Sequence, residues 1–235
     1  TGGIIDILST ASSAAPLALP DLVALPQHAI QTAAIKGLLF PFDGLTDTMD
    51  DPDWYEFARN ISQVQDSTFG IPFAADALIM VYRPAVLQEE PQDWESLFEL
   101  STQASASLSF PASDPDSLLT LTYYQSIGGT LLDEENRPTL DSIQLTEVLT
   151  YYQQAEESML MPFWLTQYET DEQSWTAYQE NQTEMAVTWS TRYFQSLPVD
   201  STAIPIPTRD GNPFILATGW AWALANPDPA HQILS

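Results

Sequence analysis

Five side chains near the ends of predicted strands could hold a ligand that has both flat apolar faces and hydroxyl groups. They are Asp76, Trp189, Arg192, Tyr193 and Trp220. Indole and phenol rings offer apolar surfaces for stacking and keep a polar tip for hydrogen bonds. Carboxylate and guanidinium groups suit hydroxyl groups, because each hydroxyl both donates and accepts a hydrogen bond. Core packing is the alternative for Trp189 and Trp220, since tryptophan is mostly buried in globular proteins.

Signatures of enzymatic chemistry are missing from the sequence. There is no glycine-rich phosphate loop, no His-Glu-x-x-His and no Gly-x-Ser-x-Gly. The two histidines, His28 and His231, are not framed by a recognisable nucleophile. Glycoside hydrolysis needs only two suitably spaced carboxylates, so the 32 acidic residues leave that alternative open. We therefore predict no catalytic residue and no cofactor, with a carboxylate-pair glycoside hydrolase as the alternative.

The stretch from Thr46 to Asp53 is rich in carboxylates, which are ligands for Ca²⁺. Its spacing departs from the EF-hand pattern, and the glycine that this pattern requires is absent. A solvated loop ahead of a helix is the simpler interpretation, because aspartate commonly caps helices. We therefore predict no metal site.

The charge balance excludes several classes of partner. The 235 residues include 6 basic and 32 acidic side chains, which gives a net charge of −26. A nucleic acid or an anionic membrane surface needs a basic stripe that displaces counterions, and none is present. No segment approaches the roughly 18 apolar residues of a membrane span. The absence of cysteine excludes disulfides and thiolate metal sites.

The stretch from Gly70 to Pro84 organises the rest of the chain. Its apolar run from Ala77 to Tyr82 is typical of a strand covered on both faces. Asp76 stands where this buried strand meets an opening, and a turn or capping carboxylate is the alternative for it.

Strands and helices alternate along the chain, which predicts an α/β sheet in each of two lobes. The strands are predicted at 21–25, 77–82, 108–111, 185–189 and 216–224, and the helices at 2–13, 30–37, 54–64, 94–101, 118–127, 143–159 and 174–182.

Five segments, in the same order along the chain, resemble the extracellular solute-binding proteins of family 1, which are maltose-binding-protein-like and serve ABC importers of sugars. The first, Gly70–Tyr82, resembles the segment that crosses between the two lobes in that family. The others are the helix start Pro91–Leu97, the turn Gly128–Asp141, the strand Thr183–Trp189 and the returning strand Gly219–Leu224.

The resemblance implies a type II periplasmic-binding-protein-like fold, with a ligand cleft between the lobes and crossover strands as the hinge. Lobe one would comprise residues 1–80 and 213–235, and lobe two residues 81–212. It implies a non-enzymatic receptor that binds a mono- or oligosaccharide and delivers it to ABC permease subunits. The protein would be an extracytoplasmic monomer in the periplasm or at the cell surface, with a lipid anchor on the full-length form.

The resemblance also implies a set of ligand contacts, to which the side chains of the opening paragraph belong. Besides the alternatives given above for Asp76, Trp189 and Trp220, two more remain open, because His28 could be a surface loop residue and Asp116 a helix cap. The implied contacts are Gln27, His28, Asp76, Asp114, Asp116, Trp189, Ser190, Arg192, Tyr193, Gly219 and Trp220.

One departure from the family concerns the two ends of the chain. Members of the family begin with a further strand–helix–strand. They also end with several helices after the turn that corresponds to the one containing Pro227 in this sequence. We therefore expect the sequence to be a fragment that lacks both ends.

Overall fold

The computed structural model describes residues 3–46, 49, 51–135 and 137–226. Three residues of the acidic loop (Asp47, Thr48 and Asp50), the predicted helix start at Gly2, the turn at Pro227 and His231 lie outside the described residues. The chain divides into two compact units, Thr1–Asp76 with Ala217–Ser235 and Ala77–Leu216. These boundaries differ by four residues at each crossing from the lobes predicted at 80 and 213.

The first unit combines a small sheet with helices. Its strands are β1 (Leu22–Pro26), β2 (Gln63–Val64), β3 (Ser67–Thr68), the beginning of β4 (Ile71–Tyr82) and β8 (Ala217–Leu224). Its helices are α1 (Ile4–Ala14), α2 (Gln27–Ile35) and α3 (Glu56–Ser62), with a 3₁₀ turn at Pro16–Ala18. Strand β8 lies between β1 and β4 and pairs with β1 in antiparallel register, with Leu22 opposite Leu224 and Pro26 opposite Trp220.

Alternation along β8 defines its two faces. Gly219, Ala221 and Ala223 are buried, whereas Trp220 and Trp222 between them are exposed. The buried face belongs to a core that includes Leu25 and Ile30. This is the period-two pattern of a strand with one covered face, so the small residues mark the side against which helices pack.

Helix α2 begins three residues earlier than the sequence predicted. Pro26 is its N-cap in an extended conformation, and Gln27 is the first helical residue. Proline is suited to such a start because its missing N–H is not needed there. Gln27 and His28 therefore lie in the first turn of a helix, so the alternative that His28 is a surface loop residue is wrong.

The second unit contains the remaining elements. Its strands are the end of β4, then β5 (Leu108–Ser109), β6 (Met185–Trp189) and β7 (Thr202–Ile204). Its helices are α4 (Trp94–Ala104), α5 (Leu118–Ser126), α6 (Ser142–Glu157), α7 (Asp171–Gln179) and α8 (Ser190–Ser196), with a 3₁₀ helix at Phe163–Gln167.

Strand β4 is central in the second unit. Met80 faces Val187 of β6 on one side and Ile204 of β7 on the other, both in antiparallel pairing, and β5 runs parallel to β6. Met80 and Val81 are fully buried on opposite faces, as expected for a strand covered on both sides. The apolar run at 77–82 is thus confirmed as a buried strand.

Two helices in the second unit differ from the prediction, one in its first residue and one because it was not predicted. Thr170 caps α7 through a reciprocal capping box with Gln173, so the helix begins at Asp171 and not at 174. The polar first turn hid this start, because the apolar periodicity begins only with Trp175. The sequence also predicted no helix after Trp189, where α8 forms two turns.

Replacing Gly219 with alanine is expected to lower the free energy of unfolding by about 2 kcal/mol, the usual cost of overpacking. An added Cβ would lie 2.3 Å from Ile61 Cδ1 and 2.8 Å from the Ala74 carbonyl oxygen. Chemical denaturation measures the loss. Gly3→Ala is the control for packing, because nothing lies within 4 Å of that position, and it should lose only what alanine costs at the N-cap of α1. An unchanged denaturation midpoint for Gly219→Ala would show that the chain can accommodate a Cβ at this position without loss of stability.

Candidate functional site

A cavity of about 300 Å³ lies within the second unit, where two helices begin and a strand ends. Its floor is formed by Leu78 and Val187 of the sheet, and Phe110 and Trp189 add aromatic surface. The polar side of the wall comes from two segments, the loop with the start of α5 and the start of α7. Its polar and charged lining residues are Asp114, Asp116, Ser117, Thr120, Glu169, Thr170 and Asp171.

The loop before α5 is held by Asp114. One carboxylate oxygen accepts a hydrogen bond from the backbone N–H of Asp116 at 2.9 Å, and the other from that of Leu118 at 3.2 Å. Ser117, the residue before the helix, adopts a left-handed conformation with φ of 50°. Asp114 thus satisfies backbone donors at the helix start, while the exposed Asp116 carboxylate has no such role.

Trp189 supplies the aromatic edge of the cavity. It is the last residue of β6, where it pairs with Leu78 of the neighbouring strand β4. Its ring is partly buried against the main core of the unit. The strand before it is buried throughout, so the backbone that carries the indole is held by packing on both sides. The ring is therefore a fixed apolar surface that a ligand can meet.

The start of α7 adds a charged pair to the wall. Asp171 Oδ2 accepts a hydrogen bond from Arg192 Nε of α8, and the two side chains form an ion pair. The other oxygen, Asp171 Oδ1, is buried and has no hydrogen-bond partner among the described residues. Arg192 is thus linked to the cavity through Asp171 and is not itself part of the lining.

The arrangement is suited to a ligand with several hydroxyl groups. Carboxylates accept hydrogen bonds from hydroxyl groups, Thr120 and Thr170 can both donate and accept, and the Trp189 ring can cover an apolar face. A cavity of this size, partly apolar with a few convergent polar groups, has the usual composition of a small-molecule site.

Two other predicted contacts of the second unit take part in internal bonds. The hydroxyl of Ser190 accepts a hydrogen bond from the Ala77 N–H at 3.2 Å. The hydroxyl of Tyr193 donates to the Ser201 carbonyl at 3.3 Å, and its ring packs beside Trp175 and Tyr178. Neither side chain lines the cavity.

The remaining five predicted contacts belong to the first unit. Gln27 is half-buried and His28 exposed in the first turn of α2, and Asp76 is half-buried in β4. Gly219 is buried against α3, whereas the Trp220 ring is 45% exposed. Beside it, Trp222 stacks on Phe73 with ring centroids 4.9 Å apart.

Sequence reasoning missed several residues of the cavity, chiefly Phe110, Thr120, Glu169, Thr170 and Asp171. A signal for the last two was present, since Thr170 and Gln173 have the spacing of a capping box. With this signal the helix could have been predicted to begin at Asp171, which lies in its first turn. No local pattern points to Phe110 or Thr120, which tertiary packing brings to the cavity.

Among the described residues, no group of three histidine, cysteine or acidic side chains is arranged to hold a metal ion. Within the same part of the chain, none of the helices is both long and apolar enough to cross a membrane.

Comparison with protein families gives a match over residues 1–232 to the family described as bacterial extracellular solute-binding protein. Comparison with curated protein sequences gives no match.

Comparison with solved structures gives proteins of the same fold. The maltose-bound MalE3 of T. maritima superposes with a TM-score of 0.73 at 20% identity, over 97% of this chain and 62% of its own. The sugar-binding protein MalE of Xanthomonas citri gives 0.79 at 16% identity, over 96% and 62%. The GacH receptor of Streptomyces glaucescens, solved unliganded and with acarbose, gives 0.70 at 18% identity, over 99% and 65%. The chain thus spans less than two thirds of the length of these proteins, whose common architecture is the predicted α/β two-lobe fold.

Proposed function

Because the chain belongs to the bacterial extracellular solute-binding protein family, we propose that it is the substrate-binding component of an ABC importer and binds a carbohydrate. The observation that carries this proposal is the cavity of the second unit, where the Trp189 ring stands beside hydroxyl and carboxylate groups. Stacking on a ring together with hydrogen bonds to hydroxyl groups is the chemistry that a sugar requires. The names of the similar structures, which mention maltose, acarbose and sugar binding, support the same class of ligand.

The proposal extends to the partner and the location. The bound sugar is delivered to membrane permease subunits, and the family description supports an extracytoplasmic place for this step. We further propose a monomer, with a lipid anchor on the full-length protein. The two compact units are proposed as lobe one and lobe two. Binding needs no covalent step, and the hydrolase alternative gains no support, since the matching family is described as solute-binding and a similar structure is named for bound maltose.

Neutral sugars are expected to raise the thermal midpoint of the protein. A ligand at about 100 times its Kd stabilises the folded state by about 2.7 kcal/mol, which corresponds to a rise of roughly 5–10 °C for a chain of this size. Differential scanning fluorimetry with maltose, longer maltooligosaccharides and monosaccharides measures this shift. A broad panel that produces no shift contradicts the proposal, and release of reducing sugar from glycosides would favour the hydrolase.

Asp76 and Trp220 of the first unit remain predicted ligand contacts, with Gln27, His28 and Gly219. Asp76→Ala and Trp220→Ala are each expected to abolish the sugar-dependent shift. Phe73→Ala is the matched control, because this ring is similarly exposed at 50% and was not predicted as a contact. If both variants keep the full sugar-dependent rise in thermal midpoint, Asp76 and Trp220 are not ligand contacts.

A further inference from the structure

Two backbone segments form the polar wall of the cavity, and each is fixed by its own hydrogen bonds. In the first, residues 114–120, the Asp114 carboxylate holds the turn before α5. In the second, residues 169–171, the side-chain oxygen of Gln173 accepts hydrogen bonds from the backbone N–H groups of Glu169 at 2.7 Å and Thr170 at 3.1 Å. The shape of the wall therefore depends on how the two segments are joined.

Ser113 joins these two segments. Its backbone N–H donates to the Tyr168 carbonyl at 2.9 Å, and its hydroxyl donates to the Thr166 carbonyl at 2.7 Å. Ser113 directly precedes the first segment, and Tyr168 directly precedes the second. Within the described part of the chain, the hydrogen bonds that link residues 111–120 to residues 166–171 both come from Ser113.

The role of Ser113 is separate from those of its neighbours. Ala112 and Asp114 line the cavity, whereas Ser113 does not. It is exposed, and it does not cap α5, whose N-cap is Ser117. Its hydroxyl bonds a carbonyl 53 residues further along the chain, so the contact is tertiary and not local.

We propose that Ser113 is a positioning residue for the ligand, because it holds residues 114–120 at a fixed distance from residues 169–171. The inference rests on the proposed function, since it concerns the same cavity. A ligand that meets a wall already in place does not have to order that wall as it binds, so its affinity is higher. Ser113 thus strengthens binding without contacting the ligand.

Replacing Ser113 with alanine removes the hydroxyl and keeps the backbone N–H. Titration calorimetry with maltose, or with the sugar from the panel above that raises the thermal midpoint most, is expected to show an affinity roughly fivefold lower, the factor that corresponds to one hydrogen bond. Ser113→Thr keeps a hydroxyl at this exposed position and should restore most of the affinity. An affinity of Ser113→Ala equal to that of the original protein overturns the proposal.

Ser158→Ala is the matched control. Ser158 is also exposed in the second unit, and its hydroxyl donates to the Ala155 carbonyl at 3.2 Å, but neither residue lines the cavity. Without sugar, both variants should lose roughly 2–4 °C of thermal midpoint. Only Ser113→Ala should bind sugar more weakly, and equal affinity losses in the two variants contradict the positioning role.

Hydrogen exchange of the sugar-free protein separates this inference from the proposed function. In Ser113→Ala, the backbone N–H groups of Asp116, Leu118 and Glu169, which are bonded within the two segments, should exchange several times faster than in Ser158→Ala. Unchanged exchange overturns the positioning role even if the protein binds sugar. If no sugar of the panel binds the original protein, the proposed function is wrong, and the inference fails with it.

Discussion

Replacing Arg83 with methionine is expected to lower the free energy of unfolding of the second unit by about 3 kcal/mol, equivalent to roughly 6–12 °C in its thermal midpoint. Arg83 follows β4 directly and its side chain is only 11% exposed. Its two terminal nitrogens donate to the carbonyls of Thr183 at 2.9 Å and Tyr178 at 2.7 Å. The guanidinium also lies 4.1 Å from the centre of the Tyr178 ring.

The effect is large because the shortened side chain leaves the buried Thr183 carbonyl without its guanidinium donor, and the Tyr178 carbonyl keeps only the N–H of Asn181 at 3.1 Å. A buried acceptor without a partner costs more than the net gain of the bond that it has lost. The ion pair with Asp200 at 2.9 Å adds less, since the Asp200 side chain is 54% exposed and its charge is screened by solvent. Arg83→Lys should recover only part of the loss, because an ammonium group cannot reproduce the planar fork of donors.

Arg137→Met is the matched control for Arg83→Met. Arg137 forms two ion pairs, with Asp133 and Glu135, but its side chain is 71% exposed. Exposed pairs contribute at most about 1 kcal/mol, so chemical denaturation should barely distinguish this variant from the original protein. Equal losses for both arginines would refute the buried role of Arg83.

The stability of the original protein and that of Arg83→Met should also depend differently on pH. The Arg83 guanidinium holds the pKa of Asp200 below its usual value. A carboxylate with a lowered folded pKa contributes stability above its unfolded pKa of about 3.9, and this contribution is lost as the pH falls through the folded pKa. The stability difference between the original protein and Arg83→Met should therefore narrow on acidification below pH 4.

Replacing Trp189 with alanine is expected to weaken sugar binding by about 30-fold, or about 2 kcal/mol, because an aromatic surface of the cavity is removed. The variant will also be less stable, since part of the indole packs against the core. Affinity should therefore be measured by titration calorimetry below the unfolding range. Trp189→Phe keeps an aromatic face and should lose much less affinity.

Trp164→Ala is the control for this change. Trp164 is also partly buried beside the core of the second unit, where it contacts Tyr168 edge to face, but it does not line the cavity. It should lose stability and retain affinity. If Trp189→Ala binds sugar as tightly as Trp164→Ala does, the Trp189 ring does not contact the ligand in this cavity.

Local pattern was enough to predict most elements of the chain. Continuous apolar residues identified β4 and β6, and helical spacing identified α6, because side-chain burial repeats every 2 or 3.6 residues. Helix-start residues ahead of them identified α4 and α5. Where helix starts are polar, as at Gln27 and Asp171, apolar spacing placed them three residues late. There the capping groups, and not burial, decide where the helix begins.

The sequence by itself determined the alternation of strands and helices, the family, and three of the side chains that line the cavity, Asp114, Asp116 and Trp189. Each stands next to a strand end or helix start that local pattern reveals. Only the tertiary structure decided that Asp171 lies in the same wall, that Arg192 pairs with it, and that Tyr193 packs inward. These are contacts between residues far apart in the chain, and they depend on how helices pack on the sheet, which no local spacing encodes.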